Sequence, residues 1–181
     1  MTQIVYNGRY LLADRRCTYG YYTPIDATKV FKIQVGDITR YFAFSGSFKE
    51  CALGEEVIRS IFDPEVISKV RSILGEDALD RFLGIVVDVT PTGRRVYLVN
   101  YAGDLCEIDS IQFVAVGAMH SEISAAWRVW ELMGESLEPG SSGSLNSLKD
   151  FVRFVTKGTE FDQTDRKLDV YDLETGELLC V

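Results

Sequence analysis

The chain has 181 residues, 46% hydrophobic, 25% charged and 12% aromatic, which is the size and balance of a single globular domain over residues 1–181 with a substantial core. Its net charge of −8 argues against nucleic acid as a partner, because phosphate binding wants a basic surface. No segment approaches the roughly 20 apolar residues that span a bilayer and no basic-then-apolar leader opens the chain, so a cytoplasmic protein with no membrane partner is expected.

The first predicted element is a hairpin. Thr2–Tyr6 is a short β-rich run, Asn7-Gly8 is the favoured type I′ turn pair, and Arg9–Asp14 returns. A second pair follows, Lys29–Val35 and Ile38–Ser45 around Gly36-Asp37, with Tyr41-Phe42-Ala43-Phe44 nearly continuous in apolar character. Cys51, Ala52, Ile58, Ile61 and Phe62 recur at helical spacing. Asp63-Pro64 then offers an N-cap and a first-turn proline for a helix whose apolar face is Val66, Ile67, Val70, Ile73 and Leu74.

Sheet patterns return at Leu83–Thr90 and Arg94–Tyr101 around Pro91-Thr92-Gly93, then at Leu105–Ile108 and Gln112–Val116. Ala118–Met133 has a wide apolar face centred on Met119, Ile123, Trp127 and Trp130, which predicts burial on more than one side. Gly134–Ser144 reads as a connector, and Leu145–Val155 as a last helix. Leu168–Leu173 and Leu178–Val181 close the chain as a hairpin. Strands, two helices, strands, two helices and strands predict an α+β protein. Its natural packing is a four-layer αββα sandwich, with two antiparallel sheets between helix layers.

The chemistry is bounded by scarce residues. Cys17, Cys51, Cys106 and Cys180 form no C-x-x-C pair and read as reduced, mostly buried thiols. A lone histidine, His120, leaves no multi-histidine metal site and reads as a polar residue opening a helix. Thr2 is the informative residue. Removal of Met1 from before a small residue would free its α-amine, whose ordinary pKa of about 7.7–8.0 suits a base at neutral pH. One residue then carries nucleophile and base. A lysine nearby, held by a carboxylate, would favour the alkoxide; Asp14 and Lys29 end and begin the flanking strands.

Four segments resemble the proteasome β-subunit and HslV family of N-terminal-nucleophile hydrolases. "TQIVYNGRYLLADRRCTYG" is similar to the family's Thr-led first hairpin and Ala-Asp-Arg-Arg segment, and "TKVFKI" to the strand with its active-site lysine. "FAFSGSFKE" resembles the segment whose glycine amide lines the oxyanion hole, and "VAVGAMHSEISAAW" the Gly-rich strand-to-helix junction.

The resemblance implies Thr2 as nucleophile, Asp14 and Lys29 as charged supports, and the Gly46 amide as oxyanion donor. It implies peptide-bond hydrolysis inside a self-assembled homo-oligomer, a ring or a dimer of rings, with a polypeptide substrate and no cofactor or metal. The first hairpin is shorter than the family's by roughly four residues, an even number that keeps its inward-facing set. Where the family has a supporting serine the matching position is Val116, with Ser121 the nearest substitute. In place of a C-terminal Arg-Asp-x-x-Ser-Gly segment stands "FDQTDRK", where Asp162 matches the aspartate and Asp165 replaces the serine. These departures also fit an inactive relative that keeps the fold for assembly or partner binding. The small size fits a phage or other compact-genome origin.

Overall fold

The computed structural model describes residues 2–19, 23–45, 83–100, 105–117, 119–132, 144–157 and 167–180, with 63, 65, 68, 69 and 72. Its strands are β1 (Gln3–Tyr6), β2 (Tyr10–Asp14), β3 (Arg16–Tyr19), β4 (Thr23–Asp26), β5 (Val30–Val35) and β6 (Ile38–Ser45). They continue with β7 (Leu83–Thr90), β8 (Gly93–Asn100), β9 (Leu105–Ile108), β10 (Val114–Gly117), β11 (Leu168–Asp172) and β12 (Leu178–Cys180). Two helices have full bounds, α1 (His120–Leu132) and α2 (Ser144–Thr156).

One five-stranded sheet runs β10-β1-β2-β11-β12 and the other β5-β6-β7-β8-β9, while β3 and β4 pair as a separate hairpin. Every strand pairing among the described residues is antiparallel. Side-chain alternation explains the stacking. Ile4, Tyr6, Leu11 and Ala13 of the first sheet meet Tyr41, Ala43, Ile85 and Val87 of the second in one buried cluster. From the opposite face, Val5, Tyr10 and Leu12 pack on Met119, Ile123, Trp127, Leu148, Phe151 and Val152 of the helical side. Phe42, Phe44 and Val86 form a third cluster on the far face of the second sheet. The apolar run Tyr41–Phe44 is thus buried on both faces, as its continuity predicts.

The four-layer αββα sandwich is corrected by this arrangement. The described residues are mostly β: two five-stranded antiparallel sheets with a helix pair packed on one of them. The helical blocks expected over Cys51–Leu74 fall mainly outside the described residues; of those described there, Glu65, Ser68, Lys69 and Ser72 are helical. The expected cap is present, with Glu65 N–H donating to Asp63 Oδ1 at 2.9 Å. The balance tips further to β because Arg16–Tyr19 and Thr23–Asp26, to which the sequence patterns assign no element, pair as β3–β4.

Local corrections have local causes. Gly8 has a φ of +92°, but no described non-glycine residue has a positive φ, so Asn7-Gly8 is not a type I′ turn. Asn7 acts through its side chain instead, with Oδ1 accepting from Arg9 N–H at 3.2 Å and Tyr10 N–H at 2.8 Å. The β7–β8 turn is Pro91-Thr92, since Gly93 already pairs with Thr90. On α1, Ile123 and Trp127 are buried, but Val129, which widens the apolar face, is 56% exposed. Cys106 and Cys180 are exposed free thiols rather than buried ones.

Candidate functional site

The β1–β2 pairing sets Ile4 opposite Ala13 and so brings Asp14 level with Gln3, the first residue of β1. Asp14 is fully buried. One carboxylate oxygen accepts the Gln3 N–H at 2.6 Å and the other the Lys29 ammonium at 2.9 Å. Lys29 is 6% exposed and directly precedes Val30, the first residue of β5 in the other sheet. The ion pair therefore ties the two sheets together at the Thr2 end. A buried carboxylate of this kind is tolerated because a cation and a backbone donor satisfy it together. Thr2 itself is buried, at 6% exposure.

The third wall is Gly117, the last residue of β10, whose register partner is Gln3. Its φ is +117°, and an ideal Cβ there would stand 1.9 Å from the Thr2 carbonyl oxygen. Glycine is required on both counts. The chain then turns into α1, where His120 Nδ1 lies 2.9 Å from the Gly117 carbonyl and His120 Nε2 lies 3.2 Å from Ser121 Oγ. Beside this turn a mainly apolar cleft of about 340 Å³ is lined by Val116, His120 and residues of β7–β9.

Thr2, Asp14 and Lys29 thus come together, although nothing local to any of them dictates it. Ser121 joins the site through His120 and Gly117 and is itself exposed. Val116 pairs with Ile4 and is buried in the inter-sheet cluster. Gly46, Asp162 and Asp165 lie outside the described residues; β6 ends at Ser45, paired with Leu83.

The sequence reading missed two neighbours. Arg15 places Nη1 2.8 Å from Asp169 Oδ1 and 3.5 Å from Thr28 Oγ1. Asp169 is 1% exposed and sits opposite Ala13 on β11. A charged residue between buried Leu168 and Val170 was the available signal. Gln3 is also buried, at 1% exposure, and neither of its side-chain amide atoms has a hydrogen-bond partner among the described residues. Its main-chain N–H carries the contact to Asp14.

Chemically, the arrangement offers an ammonium fixed by a buried carboxylate at the Thr2 end of β1. A cation so held favours a developing negative charge nearby without having to reorganise.

No protein-family model matches the sequence, and no curated protein matches it. Solved structures do match the fold. The chain is similar to Anbu (ancestral beta-subunit) from Yersinia bercovieri, with a TM-score of 0.69 at 13% identity over 100% of this chain and 87% of that one. The Anbu complex from Pseudomonas aeruginosa, described as a helical assembly, has a TM-score of 0.69 at 13% identity, covering 100% of this chain and 86% of that one. Eukaryotic HslV from Trypanosoma brucei has a TM-score of 0.56 at 17% identity, covering 94% and 98%. The fold is therefore proteasome- and HslV-like. At these identities the likeness is one of fold alone.

Proposed function

We propose that the protein is a threonine-type amide hydrolase acting on polypeptide, with Thr2 as nucleophile once Met1 is removed. The observation that carries this reading is Asp14, which accepts from the N–H of Gln3, the residue that follows Thr2, and from the Lys29 ammonium. In the proposed reaction the freed α-amine takes the Thr2 hydroxyl proton as Oγ attacks the scissile carbonyl. Lys29 stabilises the developing charge, and the Gly46 N–H donates to the oxyanion, a contribution of typically about 10²–10³ in rate. The amine leaving group departs with a proton, and water then releases the acyl group from Thr2. Asp162 and Asp165 are the proposed supports of the α-amine, and Ser121 supports the site from the β10–α1 turn through His120.

Homo-oligomeric assembly belongs to the same proposal. It is supported by the helical assembly described for the Anbu complex and by exposed Val129 and Phe154, at 56% and 73%, on the two helices. The inactive-relative reading is favoured by one observation: Val116 lies buried where the family has a serine.

The test begins with the intact mass of the natively expressed protein, which must show a chain starting at Thr2. Turnover of a short peptide amide is then compared with Thr2→Ala and Lys29→Met. Loss of turnover in Thr2→Ala with an unchanged circular dichroism spectrum is expected. Equal turnover in that variant, or retention of Met1, would remove the hydrolase reading and favour the inactive one.

A further inference from the structure

The chain's only histidine stands at the turn that packs on Thr2. We propose that His120 is a positioning residue, which clamps the β10–α1 turn so that Gly117 holds the Thr2 backbone in place. This inference rests on the reading of Thr2 as nucleophile.

The direction of each hydrogen bond follows from its partners. A carbonyl oxygen can only accept, so His120 Nδ1, 2.9 Å from the Gly117 carbonyl, carries a proton. In the neutral ring Nε2 is then the acceptor, and Ser121 Oγ at 3.2 Å donates to it. Ser121 orients the ring, the ring orients the Gly117 carbonyl, and Gly117 leaves no room for a side chain beside the Thr2 carbonyl. Ser121 therefore acts through His120 rather than by touching Thr2.

The turn needs such a clamp. Gly117 must be glycine to fit against Thr2 at a φ of +117°, yet glycine is the residue least restrained in that conformation. A side-chain donor on the first turn of α1 supplies the restraint the missing Cβ cannot. The position of Thr2 matters because a misplacement of about 1 Å can cost on the order of 10²-fold in rate.

Three variants separate the donor from the ring. His120→Asn keeps an N–H near the Nδ1 position, His120→Gln moves the amide toward the Nε2 position, and His120→Ala removes both. The readouts are kcat and KM on a peptide amide, and the rate at which an activated ester acylates Thr2, followed by mass spectrometry. Ala and Gln are expected to lower kcat and acylation by about 10–100-fold with KM nearly unchanged, while Asn recovers most of the loss. Rates equal to the unmutated protein in all three, or Asn as slow as Ala, would overturn the clamp.

A second measurement is independent of activity. The ¹⁵N shifts of the His120 ring are expected to show Nδ1 protonated and Nε2 not; the reverse tautomer would overturn the clamp. Failure of the unmutated, Met1-processed protein to acylate at Thr2 would remove the nucleophile reading, and the positioning role with it. Normal acylation that is indifferent to His120 would remove only the present inference.

Discussion

Gly117 lies against the Thr2 carbonyl so closely that an ideal Cβ would have 1.9 Å to the oxygen and 2.9 Å to the carbon. The obstructing atoms are backbone, and they belong to the strand start that Gln3 pins to Asp14 at 2.6 Å. A side chain at 117 cannot be absorbed by a rotamer change; β10 and β1 must part.

Gly117→Ala is therefore expected to cost about 1–3 kcal/mol from the backbone conformation alone, and more from the displaced register. Urea unfolding measures the first effect. Hydrogen exchange at the Gln3 and Gly117 amides measures the second, with faster exchange expected. Unfolding and exchange indistinguishable from the unmutated protein would show that the contact is not maintained in solution.

A second prediction concerns Arg40 and Asp88, which face each other across β6 and β7. Two hydrogen bonds of 2.5 and 2.6 Å join them, and their side chains are 3% and 4% exposed. Removing Asp88 takes from the buried Arg40 guanidinium its two-point carboxylate partner. Asp88→Ala should destabilise by ~3–5 kcal/mol, whereas replacing both residues with apolar ones of similar volume should cost far less. A double-mutant cycle by chemical denaturation gives the comparison, and equal losses in the single and double variants would refute it.

Acid stability should depend on Asp172. Burial alone would raise the pKa of its carboxyl. The Arg9 guanidinium and the N–H groups of Glu174 and Thr175 outweigh that and hold it below the ordinary carboxylate value. The Arg9 contacts are 2.8 and 3.3 Å. A carboxyl depressed in the folded state contributes stability above its unfolded pKa and loses that contribution as pH falls through its folded pKa. Arg9→Gln should thus be clearly less stable than the unmutated protein at pH 7, with the gap narrowing below about pH 4. A gap that stays constant from neutral to acid pH would count against the assignment.

Much of the secondary structure was legible along the chain. The β5–β6 hairpin falls within one residue of the expected Lys29–Val35 and Ile38–Ser45, because a two-residue alternation bounded by Gly36-Asp37 has few other solutions. The cap at Asp63 and the stripe Ile123–Trp127 are local signals of the same kind. The β3–β4 hairpin was not legible: Arg16–Asp26 has no clear alternation, and its pairing register joins Arg16 to Asp26 and Cys17 to Ile25. The first turn misled for a different reason. Asn-Gly is a strong turn pair, but the Asn7 side chain took over the role expected of its backbone conformation.

For the candidate site, the sequence by itself determined which residue types were available: a threonine at position 2, one histidine, and charged residues at strand ends. These follow from residue types and local spacing, which any neighbourhood of the chain carries within itself. Only the tertiary structure decided that β10 would lie beside β1, that β11 would lie beside β2, and that Lys29 would reach Asp14 from the opposite sheet. Those juxtapositions join segments as far apart as Arg15 and Asp169. They are set by which apolar faces bury one another, a choice made by the whole core and by no single stretch of sequence.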